Sequence, residues 1–250
     1  MKTFTASLQN ELKKITTRKK FLVFLIIEIV ICLLSSLINL AISKASSGTI
    51  PTSLVFSNMP MSMLSFFIQI YIPLIIFMAT CDLFAGEVHD GTIRATFMRP
   101  VSRLKQYFSK VLAILILAAV YLITLFALTT IIKAITAHSV IGLGQNFLAY
   151  SLDLFPLIVL ILFAAMLNQF TNSPSLSIVI CVIAYLALWI VGILIPIMSG
   201  LFFTGYLQWH NLWLGITLPF MAMITKMGIL IGYGMIFGCI GYYLFERREV

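Results

Sequence analysis

The sequence predicts an all-α integral membrane protein with six membrane-spanning helices, and three observations carry that prediction. Of 250 residues, 61% are hydrophobic and only 10% charged, at a mean hydropathy of +1.10, whereas soluble domains carry roughly a quarter charged residues. The apolar residues gather in six runs, each near the roughly 20 residues that a helix needs to cross a bilayer core. Placing both termini on one side puts Lys2, Lys13, Lys14, Arg18, Lys19, Lys20, Arg94, Arg99, Arg103, Lys105, Lys110, Arg247 and Arg248 there, thirteen of the sixteen Lys and Arg, and leaves Lys44, Lys133 and Lys226 opposite. That asymmetry marks the first side as cytoplasmic.

The net charge of +8 is then a topology signal, and nucleic acid is not an expected partner. Cys32, Cys81, Cys181 and Cys239 lie far apart in or beside apolar runs, without a C-x-x-C pair, so they read as small apolar packing residues and not as a metal or disulfide framework. Residues 1–20 are polar and basic and no small-residue cleavage site follows the first apolar run, so no cleavable signal peptide is expected.

Residues 1–20 place Phe4, Leu8, Leu12 and Ile15 on one stripe at helical spacing, with Lys2, Lys13 and Lys20 on the far side. This is the pattern of a helix lying in the headgroup region, apolar face toward the membrane lipid; a solvated basic tail is the alternative. The first span, 21–43, contains Glu28. A carboxylate at that depth costs on the order of 3 kcal/mol, so it should be paired, protonated or turned to a polar interior. It reads either as a pathway or subunit-interface residue or as a group shallow enough to meet Arg18 to Lys20 or interfacial water.

Residues 44–59 form a turn-rich external loop with Gly48 and Pro51. The second span, 61–84, returns with Pro73 in its middle, where the missing N–H predicts a kink. Residues 82–103 then mix both signs of charge with Gly91 and Pro100. Gly91 divides the segment into a short helix over 84–89 and a second over 92–98 that Thr92 can cap. Leu83, Phe84, Val88, Ile93, Phe97 and Met98 give it apolar contact surface, and Asp82, Glu87, Asp90, Arg94, Arg99 and Arg103 give it charge. Such a segment cannot enter lipid, and a merely solvated loop has no use for so many large apolar residues. It reads as a helical hairpin, 84–99, docked in a groove of a cytoplasmic partner; an ordinary loop whose arginines only set topology is the alternative.

The third span, 104–132, begins with Lys105 and Lys110 at the interface. The fourth, 147–170, carries Asp153 and Pro156 near its outer end, and the fifth, 175–195, is bracketed by Pro174 and Pro196. Residues 198–219 alternate large aromatics, Trp209 and Trp213 among them, with glycines, and read as short re-entrant or interfacial helices in the outer aromatic belt. His210 there reads as a headgroup-level hydrogen-bonder. The last span, 220–245, has Lys226 near its outer end or toward a polar interior, and carries the small-xxx-small pairs Gly228/Gly232 and Gly234/Gly238, which allow a close helix approach. The whole chain, 1–250, reads as one transmembrane domain.

No H-E-x-x-H, G-x-S-x-G or G-x-x-x-x-G-K-[ST] occurs, so neither hydrolytic chemistry nor a phosphate cradle is predicted in this chain, and it is not expected to be an enzyme by itself. Cofactor ATP, if used, belongs to another subunit.

Glu87, Gly91 and Thr92 form an E-x-x-x-G-T element, followed by Pro100, Ser102 and Arg103 as P-x-S-R and by Lys110 entering the next span. This run resembles the segment after the second span in permeases of ABC-2-type ABC transporters, in layout over the whole chain and in motif over residues 82–110. The resemblance implies a permease that pairs with a second copy or a similar permease and is driven by two ATP-binding subunits holding ATP and Mg. It implies an elbow helix at 1–20 and a coupling helix in the 84–99 hairpin, with Glu87, Gly91, Thr92, Arg94, Phe97, Arg99 and Arg103 as ATPase-coupling residues. The 198–219 segment would supply external gate helices with Trp209 and Trp213, and Glu28 would lie near the dimer axis or pathway. The short external loops lack a cargo-capturing domain. Compact permeases of this kind, from Gram-positive bacteria in particular, export amphipathic peptides, lantibiotics or bacitracin-like antibiotics. An ion-coupled secondary transporter using Glu28, Asp153 and Lys226, and a membrane sensor or assembly subunit, are the rival classes.

Overall fold

The computed structural model describes residues 2–45, 59–93, 101–137, 142–195, 200–214 and 220–248, and their regular structure is entirely helical. Six helical stretches are long and apolar enough to cross a membrane: Lys19–Asn39, Pro60–His89, Arg103–Thr136, Leu143–Phe170, Pro174–Leu194 and Met221–Glu246.

Helix α1 (Lys2–Thr17) is amphipathic and packs along the start of the third span. Its predicted stripe is used against protein: Ile15 is buried, and Leu8 and Leu12 pack on the core. A tight turn at Arg18 leads into α2 (Lys19–Ala45), whose buried stripe is Phe21, Glu28 and Cys32. The rest of α2 exposes Leu22, Ile26, Leu33 and Leu37, as a helix facing hydrocarbon does.

The second span is the most enclosed. It consists of α3 (Met59–Phe66), a π-helical turn (Phe67–Tyr71) and α4 (Ile72–Leu83). The kink predicted at Pro73 takes the form of this π turn. Proline has no N–H for the carbonyl four residues back, Gln69, and Tyr185 of the fifth span supplies the missing donor, its OH lying 2.6 Å from the Gln69 oxygen. A short helix α5 (Ala85–His89) follows directly, after a break at Phe84.

The third span is α6 (Arg103–Ala137). The fourth, expected as one helix, is divided at Asp153 into α7 (Leu143–Leu152) and α8 (Leu154–Leu167), with a 3-10 turn over Asn168–Phe170. Helix α9 (Pro174–Leu194) starts at the predicted proline. A 3-10 turn (Phe203–Tyr206) and α10 (His210–Leu214) precede the last span, α11 (Phe220–Glu246).

The most extensive helix pairing among the described residues is α8 on α11, and α11 turns glycines toward it. A Cβ at Gly234 would sit 3.7 Å from Val159, and one at Gly238 3.8 Å from Leu162, both ordinary contact distances. Gly241 is different, because a Cβ there would lie 2.5 Å from the Tyr107 hydroxyl and 3.4 Å from the Met166 backbone. The expected pair Gly228/Gly232 meets nothing within 4 Å.

Candidate functional site

The site begins with the break at Phe84. The Phe84 ring packs against Tyr107 and Phe245, so the joint between α4 and α5 is anchored on the third and sixth spans. That anchoring turns Glu87, one turn into α5, inward, where it is 6% exposed.

Four ionised side chains from three elements meet there. Lys110 of α6 lies 2.7 Å from Glu87 Oε1 and 3.2 Å from Glu11 Oε2, and donates its third proton to the Leu83 carbonyl at 3.0 Å. All three ammonium protons are thereby used. Lys14 of α1 bridges the same two carboxylates, 2.6 Å from Glu87 Oε1 and 2.9 Å from Glu11 Oε1. Two acids alternate with two bases, so the cluster is neutral as a whole while each member sees opposite charge. Burial alone would pull Lys14 down, but Glu87 and Glu11 beside it outweigh that and hold its pKa above the usual 10.5.

A second anchor lies one turn away. Asp82 is 2.8 Å from Arg18 Nη1, and the Lys20 ammonium sits 2.5 Å from its other oxygen as an ion pair without the alignment of a hydrogen bond. The turn between α1 and α2 is thus bound to the end of α4. Asp82 and Glu87, two of the residues that give the segment its charge, are both directed into the protein.

Among the described residues that follow Glu87, His89, Asp90, Gly91 and Thr92 form an exposed tip, while Ile93 is buried. Gly91 has φ of 67°, the left-handed conformation that ends the helix without a Cβ penalty. The Thr92 hydroxyl donates to the Glu87 carbonyl at 3.3 Å and closes the turn. Of the other predicted coupling residues, Arg103 bonds the Glu246 carbonyl at the end of the last span. Arg94, Phe97 and Arg99 lie outside the described residues, as does the expected second helix of the hairpin.

The arrangement ties α5, α1 and the start of α6 together through one ionic cluster. Glu87 links the segment beneath the exposed turn to α1 through Lys14 and to the third span through Lys110, and Asp82 links it to the start of the first span through Arg18 and Lys20.

Glu11, which completes the cluster, was not singled out in the sequence. Its signal is positional: it falls within the stripe of Leu8, Leu12 and Ile15, where an amphipathic helix should carry no charge. Lys110, expected at the membrane interface, is instead 1% exposed inside the protein.

At the opposite end of the spans, Trp209 is 2% exposed and packs on Phe155 and Tyr206, whereas Trp213 is 43% exposed. His210, expected as a headgroup-level hydrogen-bonder, finds its partner within the protein: it is buried, with Nδ1 2.6 Å from Asp153 Oδ2 and its backbone N–H donating to Oδ1 at 2.8 Å. This fastens the outer segment to the break in the fourth span. The Lys226 ammonium lies over the Tyr206 ring at 5.9 Å. Glu28 is buried between the first and third spans, on the side of α2 away from its exposed face. Between the second and fifth spans runs an apolar groove of about 290 Å³, lined by Ile70, Leu74, Phe77, Tyr185, Leu186 and Trp189 among others.

Among the described residues no group of three His, Cys, Asp or Glu is placed to hold a metal ion, and all four cysteines are free. A family model described as ABC-2 family transporter protein matches residues 7–204, from the first helix through the start of the outer segment. No curated protein matches the chain.

Proposed function

Because the chain belongs to the ABC-2 family of transporter proteins, we propose that it is the membrane subunit of an ATP-driven exporter for amphipathic or hydrophobic cargo. The membership itself makes it an ABC-type permease, whose family works with an ATP-binding subunit. The finer reading assigns the cargo to peptide toxins, antimicrobial peptides or lipid-like antibiotics, moved out across the cytoplasmic membrane. The basic end of the bundle, with both termini, faces the cytoplasm.

The observation that carries the reading is the exposed turn at 89–92, seated on a buried ionic cluster that binds it to α1 and the third span. In this reading the turn contacts the ATPase, Gly91 and Thr92 shape it, and Arg94, Phe97, Arg99 and Arg103 extend the contact. Glu87 acts from beneath, passing the displacement to Lys14 and Lys110. Helix α1 serves as the elbow helix, and ATP with Mg is held and hydrolysed in the partner. A second copy, or a similar permease, completes the translocation path, and the outer segment with Trp209 and Trp213 gates it. Apolar cargo is favoured by the groove between the second and fifth spans, whose walls are hydrocarbon and aromatic ring. A hydrated ion would call for rings of charge or carbonyls instead.

The test is co-purification in mild detergent with an ATP-binding subunit encoded beside the chain, comparing wild type with a variant whose residues 89–92 are replaced by a Gly-Ser linker. Because that replacement spares Glu87, the fold should survive. Loss of the complex in a variant with an unchanged thermal midpoint supports the coupling assignment, and unchanged association sinks it. If the wild type associates with no such ATPase, the pairing itself fails, and ion coupling or a sensor role takes its place.

A further inference from the structure

Glu28 takes no part in the cluster described above, and its surroundings differ from those of the ion-paired carboxylates Glu11, Asp82, Glu87, Asp90 and Asp153. It is 1% exposed, and none of the ion pairs among the described residues includes it. The titratable groups around it are Cys32 on its own helix, Tyr71 from the second span, Tyr121 from the third and Tyr150 from the fourth. Each phenol proton is committed to a backbone carbonyl: Tyr71 to Phe24, Tyr121 to Phe21 at 2.6 Å and Tyr150 to Pro60 at 2.9 Å.

Only Thr124 remains. Its hydroxyl oxygen lies 3.2 Å from Glu28 Oε1 and 2.8 Å from the Tyr121 carbonyl. A hydroxyl has one proton and two lone pairs, so it cannot donate fully to both. An ionised Glu28 would share that one proton with a closer acceptor, and its Oε2 has no partner among the described residues. A buried charge with half a donor is strongly disfavoured. A protonated Glu28 resolves the geometry: Oε1–H donates to the Thr124 oxygen, and the Thr124 proton goes to the Tyr121 carbonyl.

We propose that Glu28 is a reversible proton-binding site within the membrane, loaded while the first span lies against the third and emptied when those spans part and water reaches the carboxyl. The inference is independent of the exporter reading, because the site lies wholly within one chain. Protons taken up and released in step with the contact make its parting pH-dependent. Raising the pH favours the ionised form and therefore the parted arrangement, and Glu28→Gln, which cannot ionise, favours the closed one.

The test uses infrared spectroscopy of the full chain in lipid nanodiscs, titrated from about pH 6 to about pH 10, where a surface glutamate is ionised throughout. The wild type should show a protonated-carboxyl C=O band that shifts in D2O, fades toward alkaline pH and is missing from Glu28→Gln. Thr124→Val should keep the band at a displaced frequency, and it carries the test if Glu28→Gln does not fold. In a Cys239→Ser background, maleimide labelling of the buried Cys32, one turn along the same stripe, should rise with pH more steeply in wild type than in Glu28→Gln. A neutral-pH spectrum unchanged by Glu28→Gln, a band that persists across the titration, or labelling that rises equally in both proteins overturns the proposal.

Discussion

Lys14 Nζ lies 2.6 Å from Glu87 Oε1 across 73 positions of sequence, and so ties the amphipathic first helix to the exposed turn that follows the second span. Glu87 Oε1 also receives Lys110, so one carboxylate oxygen joins three separate elements. A helix of five residues such as α5 has no stability of its own. Its orientation is set by this cluster and by Phe84 beneath it.

The cluster predicts an asymmetry between single and paired substitutions. Lys110→Met leaves one buried carboxylate uncompensated and should destabilise the protein by about 3–5 kcal/mol. Glu87→Gln added to Lys110→Met restores neutrality and should recover part of that loss. Thermal midpoints of wild type, the two single variants and the double variant in detergent check it; a double variant worse than Lys110→Met by the full cost of Glu87→Gln would show that the charges act independently.

Lys14 predicts where pH reaches the cluster. Its folded-state pKa is raised above 10.5, so its stabilising contribution is complete below its ordinary value and disappears as pH climbs through the raised one. The midpoint difference between wild type and Lys14→Met should therefore be constant from neutrality to pH 10.5 and shrink above it. A difference that falls already near neutrality would contradict the geometry.

Tyr185 and Pro73 predict a rescue. Tyr185→Phe strips the donor from the Gln69 carbonyl and should cost about 1–3 kcal/mol. Pro73→Ala returns a backbone N–H near the same carbonyl, so Tyr185→Phe should cost less in that background. Equal costs in both backgrounds would mean that the proline and the tyrosine are unrelated.

Gly241 predicts a clash that a single atom relieves. Gly241→Ala should destabilise by about 1–3 kcal/mol, because the new Cβ would meet the Tyr107 hydroxyl at 2.5 Å. That hydroxyl has no hydrogen-bond partner among the described residues, so Tyr107→Phe alone should be mild and should offset much of the cost of Gly241→Ala. Gly234→Ala and Gly238→Ala, with room for a methyl group, serve as controls. Stability of the four single variants and the double variant, compared in one detergent, decides the matter.

Particular residues show what was legible. Gly91 was legible as the divider of the hairpin because a left-handed turn leaves a mark in one residue type. Pro73 marked a break in the second span, but its partner Tyr185 could not be found, since nothing in the sequence of α9 separates that tyrosine from others at helix faces. Glu11 left a signal, a carboxylate within an apolar stripe, that points to a buried partner without naming it. Among the described residues, Gly234/Gly238 meets a neighbouring helix and Gly228/Gly232 does not, and the glycine most closely pressed, Gly241, belongs to neither pair. The spacing of small residues describes one helix, whereas the need for them depends on what the other helix presents.

The sequence by itself determined the six spans, the uneven distribution of basic charge and the turn at Gly91. The first two are set by local transfer free energies along the chain, which the bilayer evaluates segment by segment, and the third by one residue. Tertiary structure alone decided that Glu87 faces inward, that His210 is joined to Asp153 and that Glu28 meets Thr124 without a cation. The state of an ionisable group depends on the nearest donors and charges, and for these three groups those come from other helices, 23 to 96 positions away.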